Sequence, residues 1–169
     1  PTVRLHGVLM EVFGVGVLLT GHSGVGKSEV AMELIKRGHR LVADDNVIVK
    51  NVAMELMGTA PESIRYFMEL RGIGIINVKS MYGSGSVLHE KSVDLVIEME
   101  EWKEDMSFDR LGTTDQYEEI LGKKVSKYTV PVRPGRNLAI IIEVAARNYR
   151  LKMMGYDATK ELIARTIGR

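Results

Sequence analysis

One octapeptide, Gly21–Ser28 (GHSGVGKS), constrains this chain more than any other segment. It matches the pattern G-x-x-x-x-G-K-[ST] at every fixed position. The glycines allow the backbone to curl so that several N–H groups point at one phosphate, and the helix that follows adds the positive end of its dipole. The lysine supplies a cation for the β- and γ-phosphates, and the serine hydroxyl binds Mg²⁺. The segment therefore predicts a phosphate-binding loop.

The residues on either side of this loop have the strand and helix patterns that the motif requires. Val17–Thr20 is a short apolar strand, and Ser28–Arg37 has apolar residues at helical spacing before the helix terminator Gly38. We therefore assign nucleotide binding to the whole loop and expect His22, at a variable position, to face solvent. The nucleotide-binding residues are Gly21, His22, Ser23, Gly24, Val25, Gly26, Lys27 and Ser28.

Two adjacent carboxylates follow the next predicted strand. Asp44 and Asp45 lie 17 and 18 residues after Lys27, which leaves room for one helix and one strand. We expect them at the carboxyl end of the strand Leu41–Ala43, where ligands of open α/β sheets bind. A carboxylate there can hold Mg²⁺ through water or accept a hydroxyl proton. Because strand side chains alternate between faces, we expect only one of the two to face the nucleotide.

The remaining pattern predicts a single α/β domain. At 169 residues the chain has the length of one domain and is long enough to bury a core. Strands and helices alternate along its first part, which favours α/β architecture. The further strands are Leu5–Val12 and Val93–Met99, and the further helices are Pro61–Leu70, Asn137–Met154 and a last helix that Asp157 caps and that runs through Ile167.

Composition excludes several classes of function. The chain contains no cysteine, which rules out disulfide scaffolds, thiolate zinc sites and cysteine nucleophiles and fits a cytoplasmic protein. The formal net charge of +1 gives no argument for nucleic-acid binding. No apolar run approaches the roughly 20 residues of a membrane span. Because the chain starts at Pro1, without an initiator Met or a signal-peptide pattern, we expect it to be part of a longer protein.

The general pattern does not choose among phosphate-loop proteins. A GTPase should offer an N-K-x-D motif, which Asn77–Ser80 (NVKS) does not supply. A large ATPase or helicase should be longer, and a small-molecule kinase usually has an arginine-rich lid that is not evident here. From these residues alone the chain is a phosphate-loop phosphotransferase or NTPase.

Six further stretches resemble the catalytic domain of the HPr kinase/phosphorylase family. With the phosphate loop they extend over nearly the whole chain, and the third of them resembles the family's signature sequence. The family's usual N-terminal domain has no counterpart here, so the resemblance implies one catalytic domain over residues 1–169. The stretches are LHGVL (5–9), RGHRLVADD (37–45), ELRGIGIINV (69–78), FDRLG (108–112), VPVRPGRN (130–137) and MGYDA (154–158).

The resemblance implies a fold, an activity and an assembly. The fold is similar to that of phosphoenolpyruvate carboxykinase, with a mixed central sheet and C-terminal helices. The activity is the phosphorylation of a serine of the phosphocarrier protein HPr, with Mg²⁺ and with ATP or pyrophosphate as the donor. The same enzyme removes that phosphate by phosphorolysis, which yields pyrophosphate, and so regulates carbon catabolite repression in bacteria. The family forms homohexamers.

Two alternatives stay open at this point. One is a carboxykinase-like enzyme that acts on a small molecule, which the short chain and the specific signature stretch disfavour. The other is a non-catalytic domain that senses nucleotide and presents a surface to a partner. An intact Lys27–Ser28 pair together with Asp44, Asp45 and Glu69 favours chemistry over sensing.

Individual roles also follow from the resemblance. It implies that His6 is an active-site residue that orients groups or handles protons, and that Glu69 binds Mg²⁺ together with Ser28. It implies that Asp45 accepts the proton of the serine hydroxyl, with Asp44 in support. It makes Arg110 an active-site arginine, whose planar guanidinium is suited to clamping phosphoryl oxygens. For Arg71, pairing with phosphate and pairing with Glu69 both stay open.

The stretch from 131 to 136 is the last candidate site. Two prolines and a glycine in six residues predict a shaped loop rather than a strand or helix. The resemblance implies that this loop serves mainly dephosphorylation, for which its two arginines would offset the repulsion between phosphate and phosphoserine. Its residues are Pro131, Val132, Arg133, Pro134, Gly135 and Arg136. We interpret the acidic run that surrounds Trp102 as a solvated edge.

Overall fold

A large mixed β-sheet with helices packed against it forms the fold. The structure, a computed structural model, describes residues 1–102 and 116–168. The strands are Thr2–Val12 (β1), Val15–Thr20 (β2), Arg40–Val52 (β3), Glu55–Thr59 (β4), Phe67–Leu70 (β5), Gly74–Asn77 (β6), Glu90–Ser92 (β7), Leu95–Glu101 (β8), Gln116–Ile120 (β9) and Lys123–Val132 (β10). The helices are Lys27–Lys36 (α1), Val78–Tyr82 (α2), Leu138–Met153 (α3) and Ala158–Ile167 (α4).

The strand order places three strand ends at one edge of the main sheet. The eight strands lie in the order β7-β4-β3-β1-β2-β8-β10-β9. The pairs β2–β8 and β8–β10 are parallel, and the other neighbours are antiparallel. The carboxyl ends of β2, β8 and β10 therefore meet at the same edge. Strands β5 and β6 form a separate two-stranded hairpin. The predicted α/β class, with a mixed sheet and C-terminal helices, is confirmed.

The central strands are buried on both faces, because their side chains alternate between two apolar clusters. On β2, Leu19 belongs to the cluster that packs against α1 and α3, whereas Leu18 belongs to the cluster on the other face. The first cluster holds Ala31 and Leu34 of α1 and Ile142 of α3, all of them buried. This packing fixes α1, and with it the loop between β2 and α1, against the sheet.

Local signals predicted three helices well. The helix after the phosphate loop ends where expected, since Gly38 adopts a φ of +98° and its N–H donates to the carbonyl of Ile35. The Asn137 side chain caps α3 by accepting a hydrogen bond from the Ile140 N–H (3.2 Å). Asp157 caps α4 in the same way, with Thr159 N–H as a donor (3.0 Å). Short polar side chains at these positions satisfy backbone donors that have no partner in the helix.

The predicted helix over Pro61–Leu70 is wrong. The segment instead holds a 3₁₀ turn at 62–64 and strand β5. Tyr66, with a φ of +74°, breaks the helical path. After it, Met68 is buried between the exposed Phe67 and Glu69, which is the alternation of a strand. The strand predicted to end at Ala43 also runs on to Val52, because β3 pairs with β1 as far as Lys50 and with β4 from Ile48 to Val52.

A carboxylate on α3 holds the end of α1 in place. Glu143 Oε1 accepts a hydrogen bond from Arg37 Nη2 (2.6 Å), and Glu143 Oε2 lies 2.6 Å from His39 Nε2. The His39 ring is buried and meets the edge of Phe13 at a centroid distance of 4.7 Å. The Arg37 hydrogen bond holds the pKa of the Glu143 carboxyl below its usual range. This cluster therefore links the phosphate-loop helix to α3 through charge-assisted bonds.

We predict that Glu143→Gln lowers the free energy of unfolding by about 1–2 kcal/mol at neutral pH, because it removes a charge that Arg37 and His39 contact. Since the folded-state pKa of Glu143 is lowered, the difference from the parent should persist above the unfolded pKa of about 4.3 and vanish as the pH falls through the folded value. Urea unfolding at fixed protein concentration measures it. Glu161→Gln, which removes an exposed pairing with Arg165 on α4, is the control and should change stability by less than about 0.5 kcal/mol.

Candidate active site

The predicted phosphate loop joins β2 to α1 with the backbone that such a loop needs. Gly26, which directly precedes α1, has a φ of +109°, and Gly21 has a φ of +139°. A Cβ atom at Gly21 would lie 2.6 Å from the carbonyl oxygen of Met99 on β8. Glycine is therefore required at position 21 both by the left-handed backbone and by the neighbouring strand.

The Lys27 ammonium lies inside the curve of this loop. Its Nζ atom donates hydrogen bonds to the carbonyl oxygens of Gly21 (2.8 Å) and His22 (3.0 Å). The side chain is buried, and burial lowers the pKa of Lys27 against the opposing pull of Asp45 and Asp44. The loop therefore holds its cation against its own carbonyl oxygens, with Asp44 and Asp45 close enough for their charges to act on it.

A buried carboxylate connects the loop helix to the hairpin. Asp44 Oδ1 accepts a hydrogen bond from Ser28 Oγ (3.2 Å), and Asp44 Oδ2 accepts one from the Glu69 N–H (3.4 Å). Burial raises the pKa of the Asp44 carboxyl, while these hydrogen bonds work in the opposite direction. Asp44 thus joins α1, β3 and β5 and brings the two predicted magnesium ligands, Ser28 and Glu69, to one place.

Asp45 faces the same cleft as Asp44, which contradicts the expectation that only one of them would. The two residues lie inside β3 rather than at its carboxyl end. Asp45 has a φ of +68°, and this left-handed backbone interrupts the alternation of the strand. Its side chain is 74% exposed, and its Oδ1 atom lies 3.1 Å from His6 Nδ1 on the neighbouring strand β1. Both aspartates consequently border one open space.

That space is an open cleft of about 270 Å³. It also receives Arg71, for which the sequence left two partners open. A Cβ atom on Gly24 would lie 3.1 Å from Arg71 Nη2, so the guanidinium is next to the phosphate loop, and no ion pair joins it to Glu69 within the described residues. The lining residues are His6, Val8, Ser23, Gly24, Gly26, Lys27, Ser28, Glu29, Asp44, Asp45, Glu69 and Arg71. Glu29 was not predicted, because its position directly after Ser28 is the only signal for it in the sequence.

The donors in this cleft fit Mg²⁺. They are the Ser28 hydroxyl and the carboxylates of Asp44 and Glu69, which are hard oxygen ligands. In the described part of the chain, no three or more His, Asp or Glu side chains are grouped as an all-protein metal site. Mg²⁺ commonly binds through one or two protein oxygens and completes its shell with water and substrate phosphates. Ser28 and Glu69, with Asp44 beside them, are donors of the kind that this mode of binding uses.

Other predicted site residues lie outside the cleft. Val25 is buried in the core, and Gly21 and His22 contribute carbonyl oxygens to Lys27 rather than lining the open space. The His22 ring is exposed, as expected, and its Nε2 atom is 4.0 Å from Glu101. Arg110 falls outside the residues that the structure describes.

The predicted loop from 131 to 136 begins later than expected. Pro131 and Val132 belong to β10 and pair with β8, so the loop proper is Arg133–Arg136. Proline is tolerated in this strand because parallel pairing with β8 does not require every N–H. The loop starts at the sheet edge that also carries the phosphate loop.

In the described part of the chain, no helix combines the length and the apolar character that crossing a membrane requires.

Comparison with known proteins gives consistent matches over almost the whole chain. A family model described as HPr Serine kinase C-terminal domain matches residues 1–166. The HPr kinase/phosphorylase of Caldanaerobacter subterraneus subsp. tengcongensis is 59% identical over 163 residues, which are 96% of this chain and 53% of that protein. That of Lachnoclostridium phytofermentans is 57% identical over 166 residues, 98% of this chain and 54% of that protein. This chain thus spans about half the length of the curated relatives it matches.

A solved structure shares the fold. The HPr(Ser) kinase/phosphatase from Coxiella burnetii matches with a TM-score of 0.85 and 38% sequence identity, over 95% of this chain and 98% of that one. At 38% identity over nearly the whole of both chains, the two proteins share a family as well as a fold.

We predict that Asp44→Asn raises the melting temperature at pH 7 by a few degrees, because it removes a charge that burial destabilises. Since the folded-state pKa of Asp44 is raised, the ionised parent is destabilised above that pKa, and the gain should disappear as the pH falls toward the unfolded value of about 3.9. Asp45→Asn, at an exposed site, is the matched control and should shift the melting temperature less than Asp44→Asn does. Calorimetry at several pH values distinguishes the two, and equal shifts would contradict the prediction.

Proposed function

The chain belongs to the HPr serine kinase C-terminal domain family, and from this premise we propose that it transfers a phosphoryl group from ATP or pyrophosphate to a serine of the phosphocarrier protein HPr. We include the reverse reaction, in which inorganic phosphate takes the group from phosphoserine and pyrophosphate is released. The observation that carries the proposal is the single cleft in which Lys27, Asp44, Asp45 and Glu69 converge.

The phosphate loop and its neighbours hold the donor in this proposal. The N–H groups of residues 23–28 and the Lys27 ammonium bind the donor phosphates, which would draw Lys27 away from the loop carbonyls that it now contacts. Ser28 and Glu69 would hold Mg²⁺, which neutralises charge on the phosphate oxygens. Arg71, next to Gly24, adds a second cation at the loop.

Asp45 is the base that we assign to the transfer. As the serine oxygen bonds to the terminal phosphorus, the bond to the leaving ADP or phosphate breaks, and the hydroxyl proton passes to the Asp45 carboxylate. Asp45 is accessible to a protein substrate, whereas both oxygens of Asp44 are engaged with Ser28 and Glu69. His6, 3.1 Å from Asp45, orients the carboxylate and is placed to share its proton.

The assembly and setting belong to the same proposal. We place the protein in the cytoplasm as a homohexamer that acts in carbon catabolite repression, as expected from the family resemblance. Sedimentation of the purified chain measures the hexamer directly.

The decisive test incubates the chain with HPr, Mg²⁺ and γ-labelled ATP. Label on a serine of HPr supports the proposal, whereas tight nucleotide binding without turnover would favour a nucleotide sensor. Lys27→Ala should lose both ATP binding and transfer, because Lys27 is the one lysine or arginine that the loop Gly21–Ser28 itself contains. Lys36→Ala removes an exposed lysine from the same helix and should behave like the parent.

We predict that Asp45→Asn slows transfer to HPr by about 10²–10⁴-fold, the usual cost of removing a general base. Its ATP affinity should stay close to that of the parent, because Asp45 contacts the acceptor rather than the donor phosphates. Rates from labelled ATP and affinities from calorimetry test the two halves separately. Near-normal transfer by Asp45→Asn, combined with a collapse in Asp44→Asn, would reassign the base to Asp44.

The reverse reaction makes a demand that the forward one does not. Free phosphate and phosphoserine are both anions, so phosphorolysis must bring two like charges together. In the forward direction the phosphate loop and Mg²⁺ already neutralise the donor. Fixed guanidinium groups on the Arg133–Arg136 loop would offset the extra repulsion.

We predict that Arg136→Ala reduces pyrophosphate formation from phosphoserine-HPr more than ATP-driven phosphorylation, and that Arg133→Ala does so to a lesser extent. Both directions are measured on one preparation, with oligomeric state checked by sedimentation. Arg165→Ala removes an exposed arginine on α4 and serves as the control. Equal loss in both directions, or loss with disassembly, would indicate a role in the subunit interface or in HPr binding instead.

A further inference from the structure

The chain's single tryptophan lies directly beside the start of the Arg133–Arg136 loop. Trp102 follows β8, and its backbone N–H donates to the carbonyl oxygen of Val132 at the end of β10 (3.1 Å). The guanidinium carbon of Arg133 lies 4.6 Å from the centroid of the Trp102 ring. One residue therefore contacts both the backbone that leads into the loop and the first cation in it.

The contact places the Arg133 guanidinium over the face of the Trp102 ring. A guanidinium is planar, so its face can stack on an indole while its N–H donors point outward in the same plane. Among the described residues, no carboxylate pairs with Arg133 within 4.0 Å. Within the part of the chain that the structure describes, the contact with Trp102 thus restricts the side chain without neutralising its charge, whereas a carboxylate partner would compete with an anion for the same donors.

The loop and the phosphate loop share one edge of the sheet. Strand β8 lies between β2 and β10, and its Met99 carbonyl closely approaches Gly21 of the phosphate loop. Neighbouring strands are about 4.8 Å apart, so the strands leading to the two loops are separated by about 10 Å. A cation held at the carboxyl end of β10 therefore lies at the same end of the strands as the phosphate loop, where the phosphate chemistry is proposed.

We propose that Trp102 is a positioning residue for phosphorolysis, which stacks on Arg133 and thereby holds that guanidinium, edge outward, for an incoming inorganic phosphate. The inference rests on the proposed function. Ordering an arginine before the anion arrives lowers the entropic cost of binding it. ATP-driven phosphorylation, which uses no free phosphate, gains nothing from this arrangement.

The functional test compares Trp102→Leu with Trp102→Phe. We expect Trp102→Leu to raise the apparent KM for inorganic phosphate in pyrophosphate formation by about two- to fivefold, the effect of one exposed cation–π contact, with ATP-driven phosphorylation unchanged. Phenylalanine retains an aromatic face and should restore part of the loss. Tyr117→Leu is the matched control, since it removes another aromatic ring near a lysine, Lys124, at the opposite end of β10.

A second measurement detects the contact between Trp102 and Arg133 without any enzymatic reaction. Because Trp102 is the only tryptophan, fluorescence excited at the long-wavelength end of the tryptophan absorption band, where tyrosine does not absorb, reports on its ring alone. Arg133→Met replaces the guanidinium with an apolar chain and should change the emission spectrum, whereas Arg136→Met should not.

The outcomes separate this inference from the proposed function. A parent protein that produces pyrophosphate, together with a Trp102→Leu variant whose phosphate KM is unchanged, overturns the positioning role alone. Equal loss in both directions of the reaction also overturns it, because it indicates a structural role. An emission spectrum unaffected by Arg133→Met removes the contact on which the inference is built. A parent that forms no pyrophosphate overturns the phosphorolysis reaction, and the role of Trp102 in it, whatever the fluorescence shows.

Discussion

The site depends on a carboxylate that is costly to bury. Asp44 receives hydrogen bonds from Ser28 and from the backbone of Glu69, and through them three separate parts of the chain meet at one point. Burying a charge costs free energy, and the partial satisfaction of Asp44 by two donors offsets only part of it. The fold retains this cost because the same contacts set the distance between the phosphate loop and the hairpin that carries Glu69 and Arg71.

The backbone of the adjacent residue, Asp45, carries a second cost in free energy. An aspartate with a φ of +68° is uncommon, and the left-handed region costs a non-glycine residue about 1–2 kcal/mol. Without that turn of the backbone, the alternation of β3 would direct Asp45 away from Asp44 and out of the cleft. Strain of this kind is characteristic of functional sites, where surrounding pairing holds the backbone in place. Here that pairing is the register of β3 with β1.

The sequence predicted those parts of the molecule that local chemistry determines. The phosphate loop, its helix and the two C-terminal helices follow from glycines, capping residues and apolar spacing within a few positions. The left-handed Asp45 has no such signal, because nothing in the residues near it demands a positive φ. The hairpin was mistaken for a helix for a similar reason: its pairing and its contact with Asp44 are tertiary. Arg71 was undecided until the fold placed it beside Gly24, and the role of Arg110 stays a prediction.

The parallel pairing of β2 with β8 also bears on how the chain acquires its function. Strands β1 and β2 are joined by a tight turn and pair antiparallel, as do β3 and β4, so each of these hairpins can associate through local contacts as soon as it is made. Strand β8, by contrast, meets β2 across a long interval: Gly16 N–H bonds to the Asp94 carboxylate, 78 residues further on. Non-local pairing of this kind forms late and slowly. Since the phosphate loop packs against β8, we expect a nascent chain to complete its proposed nucleotide site only after β8, which ends at Glu101, has left the ribosome.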